Sequence, residues 1–143
     1  MKINSKIIRG ACLCEKIKFE ITLPTKWCSH CHCTLCRRSH GAAFVTWFGV
    51  NTDQFRITQG ENQIKWYFSS VESQRGFCMN CGSHILFKSI KWPGEIHISL
   101  SNMIDPIDRK PAGHTYFDTH VDWVKFNDGL PRNNDPDMKK ENR

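Results

Sequence analysis

Eleven consecutive residues, Cys28-Ser-His-Cys31-His-Cys33-Thr-Leu-Cys36-Arg37-Arg38, hold half of the chain's eight cysteines together with two histidines and two arginines. Thiolate and imidazole are the side chains that bind transition metals, and clusters at this spacing read as metal sites rather than packing. Cys31, Cys33 and Cys36 form C-x-C-x-x-C and can converge on one ion. A zinc held by three protein ligands keeps a fourth position for substrate, whereas a structural zinc is closed by four. Cys28, His30, His32 or His40 can each supply that fourth ligand, so spacing alone leaves the site open or closed. Trp27-Cys28-Ser-His-Cys31 also matches the WCxxC of thioredoxin-type redox proteins. That motif needs a long helix behind it, and no long amphipathic stretch follows here.

A second constellation consists of two pairs, Cys12-x-Cys14 and Cys78-Met-Asn-Cys81-Gly82. Residues two apart in extended chain point the same way, so Cys12 and Cys14 can address one ion. Cys78 and Cys81 have the spacing of a zinc knuckle, and Gly82 can take the positive φ that closes such a turn. Four thiolates make a closed tetrahedral site. The expectation is a structural zinc that ties the N-terminal segment to the middle of the chain.

The chemistry of a three-thiolate zinc is limited by its ligands. With a net charge of −1 the centre activates water poorly, and it suits the holding of an incoming thiol as thiolate near pH 7. A bound thiolate can add to an aldehyde carbonyl, or release one in reverse. No G-x-S-x-G, H-E-x-x-H or phosphate-binding glycine loop offers a rival chemistry. Arg37, Arg38 and Arg75 lie close in sequence to ligands and are candidates for binding substrate carboxylates, the alternative being solvated surface arginines. Phe44, Trp47 and Trp123 either line a pocket or fill the core. His32, between two ligands, has a supporting or solvent-facing role; His114 and His120 carry no assignment.

These residues must be positioned by strands. Ile17, Phe19, Ile21 and Leu23 alternate with polar residues, which predicts a half-buried strand ended by Pro24. A helical turn is expected over Thr34–Ser39, broken at Gly41, followed by a buried strand over Ala43–Val50. Further strands are expected at Gln54–Thr58, Gln63–Ser69, His84–Phe87 and Glu95–Leu100, with a last one over Thr115–Phe126 interrupted near His120. Short strands with little helix predict a mainly β domain of packed antiparallel sheets. One domain over residues 1–130 and a polar, mobile tail over 131–143 complete the expected organisation.

The 143 residues carry a formal charge of +6, concentrated early: residues 1–30 hold six Lys/Arg against two Asp/Glu. A competing reading is therefore a binding module in which Lys2, Lys6 and Arg9 contact nucleic acid or an acidic protein and both metals are structural. No stretch reaches the ~20 apolar residues of a membrane span. The first ten residues lack a signal-peptide core, so a reducing cytoplasm is the expected compartment, where close cysteines bind metal.

In their order, Gly10-Ala-Cys12-Leu-Cys14, Cys31-His-Cys33-Thr-Leu-Cys36-Arg37-Arg38, Gly41-Ala-Ala-Phe44, Arg75-Gly76-Phe77-Cys78-Met-Asn-Cys81-Gly82-Ser83 and Asp128-Gly129-Leu130-Pro131 resemble the glutathione-dependent formaldehyde-activating enzymes, whose domain is shared by centromere protein V. The resemblance covers about nine-tenths of the chain. It implies a zinc-stabilised β-tent fold, a structural zinc on Cys12, Cys14, Cys78 and Cys81, and a catalytic zinc on Cys31, Cys33 and Cys36. The implied activity joins glutathione and formaldehyde into S-hydroxymethylglutathione, a carbon–sulfur lyase reaction.

Overall fold

Alternating burial builds the first sheet. In the computed structural model, which describes residues 5–134, Phe19 and Ile21 of β2 (Lys18–Thr22) are buried while Lys18 is exposed. β2 pairs antiparallel with β1 (Ile7–Ala11) on one side and β5 (Phe55–Gln59) on the other. The second sheet has seven strands in the order β10-β3-β4-β9-β8-β7-β6. These are β3 (Trp27–Cys31), β4 (Val45–Asn51), β6 (Ile64–Phe68), β7 (Ser73–Cys78), β8 (His84–Ser89), β9 (Glu95–Ser99) and β10 (His114–Thr115). Their pairings are antiparallel except that β10 runs parallel to β3. The domain is mainly β, as expected. The one α-helix among the described residues, α1 (Thr34–His40), is seven residues long, and none of their helices is long and apolar enough to cross a membrane.

One face of the large sheet meets the small sheet. Phe48, Val50, Ile96 and Ile98 pack there with Ile8, Phe19 and Ile21 in a shared apolar core. The other face carries the intervening residues, and Val45 and Trp47 pack against Cys31, Cys33 and Cys36. Strand geometry enforces this division, because successive side chains leave a strand on opposite sides.

α1 forms where the sequence predicts a turn. Cys33 is its N-cap, with Sγ accepting from the Cys36 amide, and Gly41 ends it at φ 60° with its N–H on the Arg37 carbonyl. A left-handed C-cap of this kind favours glycine. Of the expected strand over Thr115–Phe126 only Thr115 is extended and paired, as the second residue of β10. Tyr116 takes a left-handed φ of 54°, and the chain then turns so that Phe117 and Phe126 close over His32 and His114. Conversely β1, β3 and β7 form where the sequence predicts no strand, because glycine, cysteine and polar residues there mask the apolar alternation. The residues assigned to a tail from 131 begin by pairing: His114 N–H donates to the Pro131 carbonyl and Asn133 N–H to the His114 carbonyl. Residues 135–143 of that expected tail lie outside the described residues.

Gly10 faces Phe19 across the β1–β2 pair, and a Cβ there would fall 2.2 Å from the ring of the buried Phe19. Gly10→Ala is expected to cost about 1–3 kcal/mol by overpacking, read as a lower urea midpoint with an unchanged slope.

Candidate functional site

Two turns bring the first cysteine cluster together. Cys12 and Cys14 sit just after β1, while Cys78 ends β7 and Cys81 follows in its turn. The four sulfurs all lie within 4.8 Å of one another. Cys12 Sγ to Cys14 Sγ is 3.7 Å and Cys14 Sγ to Cys78 Sγ is 3.8 Å. A tetrahedron with metal–sulfur bonds of about 2.3 Å has edges of about 3.8 Å. The donor set therefore fits a tetrathiolate ion. Gly82 takes φ 76° and its N–H donates to the Cys78 carbonyl, closing the knuckle turn as its sequence requires. Hydrogen bonds from Asn80 and from the Lys16 backbone draw the Cys14 thiol down to about 6.

The second cluster is Cys31, Cys33 and Cys36, all buried and mutually within 4.8 Å. Cys31 ends β3, Cys33 caps α1, and Cys36 lies in the first turn. Three N–H groups converge on these sulfurs: Cys36 N–H on Cys33 Sγ at 3.3 Å, Trp47 Nε1 on Cys36 Sγ at 3.4 Å, and Arg75 Nη1 on Cys36 Sγ at 3.5 Å. Cys36 is held well below the usual thiol range, first by hydrogen bonds from Cys31 and Cys33 and then by the charge of Arg75. Donors aimed at sulfur stabilise thiolate, the form that ligates metal. These residues too can hold a metal ion.

The four candidates for closing this site are placed elsewhere. Cys28 lies three residues before Cys31 on one strand, hence on the opposite face, where it joins the apolar core and burial pushes its thiol up to about 11. His30 Nδ1 meets Thr46 Oγ1 at 2.8 Å. The His40 ring packs on Trp47 and His84. His32 turns away from the sulfurs into a chain of its own: Nε2 to His114 Nδ1 at 2.8 Å, then His114 Nε2 to Asp128 Oδ2 at 2.8 Å. Among the described residues no fourth Cys, His, Asp or Glu joins the trio.

A hydrogen-bonded chain from the buried His32 and His114 out to the solvent-facing Asp128 is the feature that the sequence leaves unassigned. With Asp128 ionised, His114 donates to it from Nε2, and a single proton is shared between His114 Nδ1 and His32 Nε2. The loop between two cysteines is thereby tethered to the C-terminal end of the described chain. Asp128-Gly129 stands out in the sequence, but nothing there pairs it with a histidine. His120 stacks on Phe117 at 3.9 Å between centroids, outside this chain of hydrogen bonds.

A cleft of about 680 Å³ opens onto the trio. Cys31, Cys33, Cys36, Trp47 and Arg75 line it. Arg75 is only 4% exposed; Nε donates to Ser69 Oγ, Nη1 to Ser39 Oγ, and the guanidinium stacks 5.1 Å from the Phe87 centroid. Arg37 and Arg38, offered by the sequence alongside Arg75, do not line the cleft, because α1 turns Cys36 inward and carries its following residues away. Phe44 packs on His30 and His32 instead, and Trp123 is exposed. Of the early basic residues, Lys2 lies outside the described residues, and Arg9 is engaged by Asp105 at 3.0 Å.

Cys28→Ala is expected to keep the metal content of the wild type, whereas Cys81→Ser loses one ion per chain and most of the folded population; metal analysis beside circular dichroism checks both. Burial, followed by the neighbouring His84 and the charge of Arg75, lowers His40 to about 4. The unfolded chain takes up this proton near pH 6.5, so stability falls as pH drops from 6.5 toward 4. His40→Gln is expected to flatten that decline in melting temperature.

Three comparisons bear on this architecture. The family model described as glutathione-dependent formaldehyde-activating enzyme matches residues 7–119. A Halomonas elongata protein, provisionally named for that same activity, is 22% identical over 128 residues, 84% of this chain and 81% of its own length. A Schizosaccharomyces pombe protein named only as an uncharacterized lyase is 33% identical over 78 residues, 54% of this chain and 55% of its own. The crystal structure of a Rhodobacter sphaeroides protein superposes with a TM-score of 0.58 at 18% identity, over 87% of this chain and 99% of that one, and so shares the fold. With the family model spanning both cysteine clusters, the chain belongs to the glutathione-dependent formaldehyde-activating enzyme family.

Proposed function

We propose that the protein is a zinc-dependent carbon–sulfur lyase that joins a thiol such as glutathione to an aldehyde and releases them in reverse. Cys12, Cys14, Cys78 and Cys81 hold a structural zinc, and Cys31, Cys33 and Cys36 hold the catalytic one. The observation that carries this reading is the asymmetry of the two clusters: four sulfurs complete one, while three line a cleft with no fourth ligand beside them among the described residues. When bound there, zinc supplies the charge that keeps a substrate thiol ionised near neutral pH.

The chain's own residues do the rest. Arg75 and Trp47 donate to Cys36 and fix the orientation of its lone pairs. The guanidinium also offsets the negative charge that three thiolates accumulate, which eases the approach of another anion. Cys31, Cys33, Cys36 and Arg75 are themselves buried at the base of the cleft, so the polar contacts among them act at reduced dielectric. The His32–His114–Asp128 chain holds the Cys31–Cys33 loop in place from behind. A reducing compartment suits the reaction, because both the ligands and the substrate must remain thiols.

The test is the exchange rate between free and adduct formaldehyde in the presence of glutathione, followed by NMR. The wild type is expected to exceed the uncatalysed rate, and Cys33→Ser to return it to background with one ion lost and the fold kept. An unfolded Cys33→Ser protein, or a rate indifferent to Cys33, would overturn the assignment of this cluster as the catalytic one.

A further inference from the structure

Four strands end the two sheets, β10 and β6 in the large one, β1 and β5 in the small one. A sheet edge is a row of unpaired N–H and C=O groups, ready to pair with another chain unless it is covered or charged. Irregular chain lies along two of these edges: His114 of β10 bridges to Arg132, Gly10 of β1 bridges to Met103, and the Ile104 amide donates to the Arg9 carbonyl. On β5 the exposed residues are polar, namely Arg56, Thr58 and Gln59. β6 differs. Tyr67 and Phe68 are 65% and 63% exposed, and Val71 in the turn that follows is 95% exposed.

Register shows which backbone groups of β6 are spare. β6 pairs antiparallel with β7 from Ile64↔Cys78 to Phe68↔Gln74. Just beyond these pairs, Met79 N–H donates to the Gln63 carbonyl and Ser69 N–H to the Ser73 carbonyl. Antiparallel pairs alternate between exchanging hydrogen bonds and not. Lys65 and Tyr67 therefore bond to β7, while Trp66 and Phe68 turn N–H and C=O outward, and Ile64 its C=O. The Ile64 N–H goes to the Glu61 carbonyl. No other strand of the described residues lies on that side. The Trp66 ring does not screen it: the ring leans inward over Gly76, where an added Cβ would meet it at 3.1 Å, and Lys88 of β8 reaches to 4.2 Å from its centroid.

This edge is complementary to itself. Outward groups meet outward groups of a second β6 in antiparallel registers centred on Lys65, Trp66 or Tyr67. Centring on Lys65 opposes two ammonium groups, and centring on Tyr67 leaves Lys65 against Ser69 and shortens the overlap. Centring on Trp66 uses the whole strand. The two Trp66 residues exchange N–H and C=O, and each Phe68 N–H donates to the second copy's Ile64 carbonyl. Lys65 then lies beside the second copy's Tyr67 in a non-hydrogen-bonded pair, where side chains are closest and a ring face attracts an ammonium. Ile64 lies beside Phe68, apolar against apolar. Two-fold symmetry makes every contact twice.

We infer that the protein forms a two-fold dimer in which β6 pairs with β6 of a second copy, centred on Trp66, so that the two seven-stranded sheets become one. The pairing reaches the cleft. Residues 61–63 of the second copy come beside residues 69–71, of which Ser69, Ser70 and Val71 line the cleft. Ser69 Oγ accepts from Arg75 Nε, so the turn that steadies Arg75 is itself held by the second copy.

Sedimentation of the zinc-loaded protein over a concentration series tests this, with hydrogen exchange of the Trp66 and Phe68 amides followed by NMR on the same samples. A monomer–dimer equilibrium is expected, in which both amides slow as the dimer fills. Tyr67→Lys brings ammonium groups together at two symmetric places and is expected to raise Kd at least about tenfold. Tyr67→Glu offers Lys65 a carboxylate and is expected to leave Kd within about threefold of the wild type or to lower it. Position 67 is exposed, so both variants are expected to keep the wild-type circular dichroism. A protein that stays monomeric up to about 0.1 mM overturns the inference. So does a dimer whose Trp66 and Phe68 amides exchange at the monomer's rate, or a Tyr67→Glu dimer as weak as that of Tyr67→Lys. Amides that slow only when a foreign peptide strand is added assign the edge to another polypeptide and equally overturn it.

Discussion

The central strand β4 is buried on both faces, and the two halves of the molecule meet through it. Phe48 and Val50 seal the core against the small sheet, while Val45 and Trp47 support the cysteine trio on the other side. A strand in this position cannot shift by one residue without exchanging its faces. Such a slip would bring Trp47 into the core and withdraw the indole N–H from Cys36. The geometry of the three clustered sulfurs is thus set by the same burial that stabilises the fold.

Cysteine spacing makes the two clusters legible from the sequence, since ligands of one ion must be close and the intervals C-x-C and C-x-x-C serve turns and helix starts. The status of Cys28 is not legible there. It depends on β3 being a strand, and Trp27-Cys28-Ser-His-Cys31 carries no apolar alternation to announce one. Once the strand is known, a separation of three residues puts Cys28 and Cys31 on opposite faces. The arginines show the same limit: Arg37 and Arg38 are adjacent to a ligand in sequence, yet Arg75, thirty-nine residues away, is the one that reaches Cys36. Proximity along the chain tells less than sheet register.

Strands β2, β4, β5, β6, β8 and β9 follow their apolar patterns. The segment after Thr115 does not, because its apolar residues serve a different purpose. Phe117 and Phe126 enclose a pair of histidines and so come from irregular chain folded over a buried polar link. Burying imidazoles is costly unless their nitrogens are bonded. Asp128 meets part of that cost for His114, and His114 for His32. Aromatic residues placed for this task do not alternate as strand residues do.

The two clusters also differ in how much chain each encloses, and this sets an order in time. Cys31 and Cys36 leave the ribosome almost together, so the trio can gather its ion from a short local segment. Cys14 must wait for Cys78, sixty-four residues later. At elongation rates of about 5–20 residues per second, that interval lasts roughly 3–13 s. During it two reduced cysteines stand without their partners, exposed to oxidants and to competing metals. Of the two clusters, the one that joins distant segments is therefore the later to come together, because its four sulfurs can meet only once β7 and its following turn have been made.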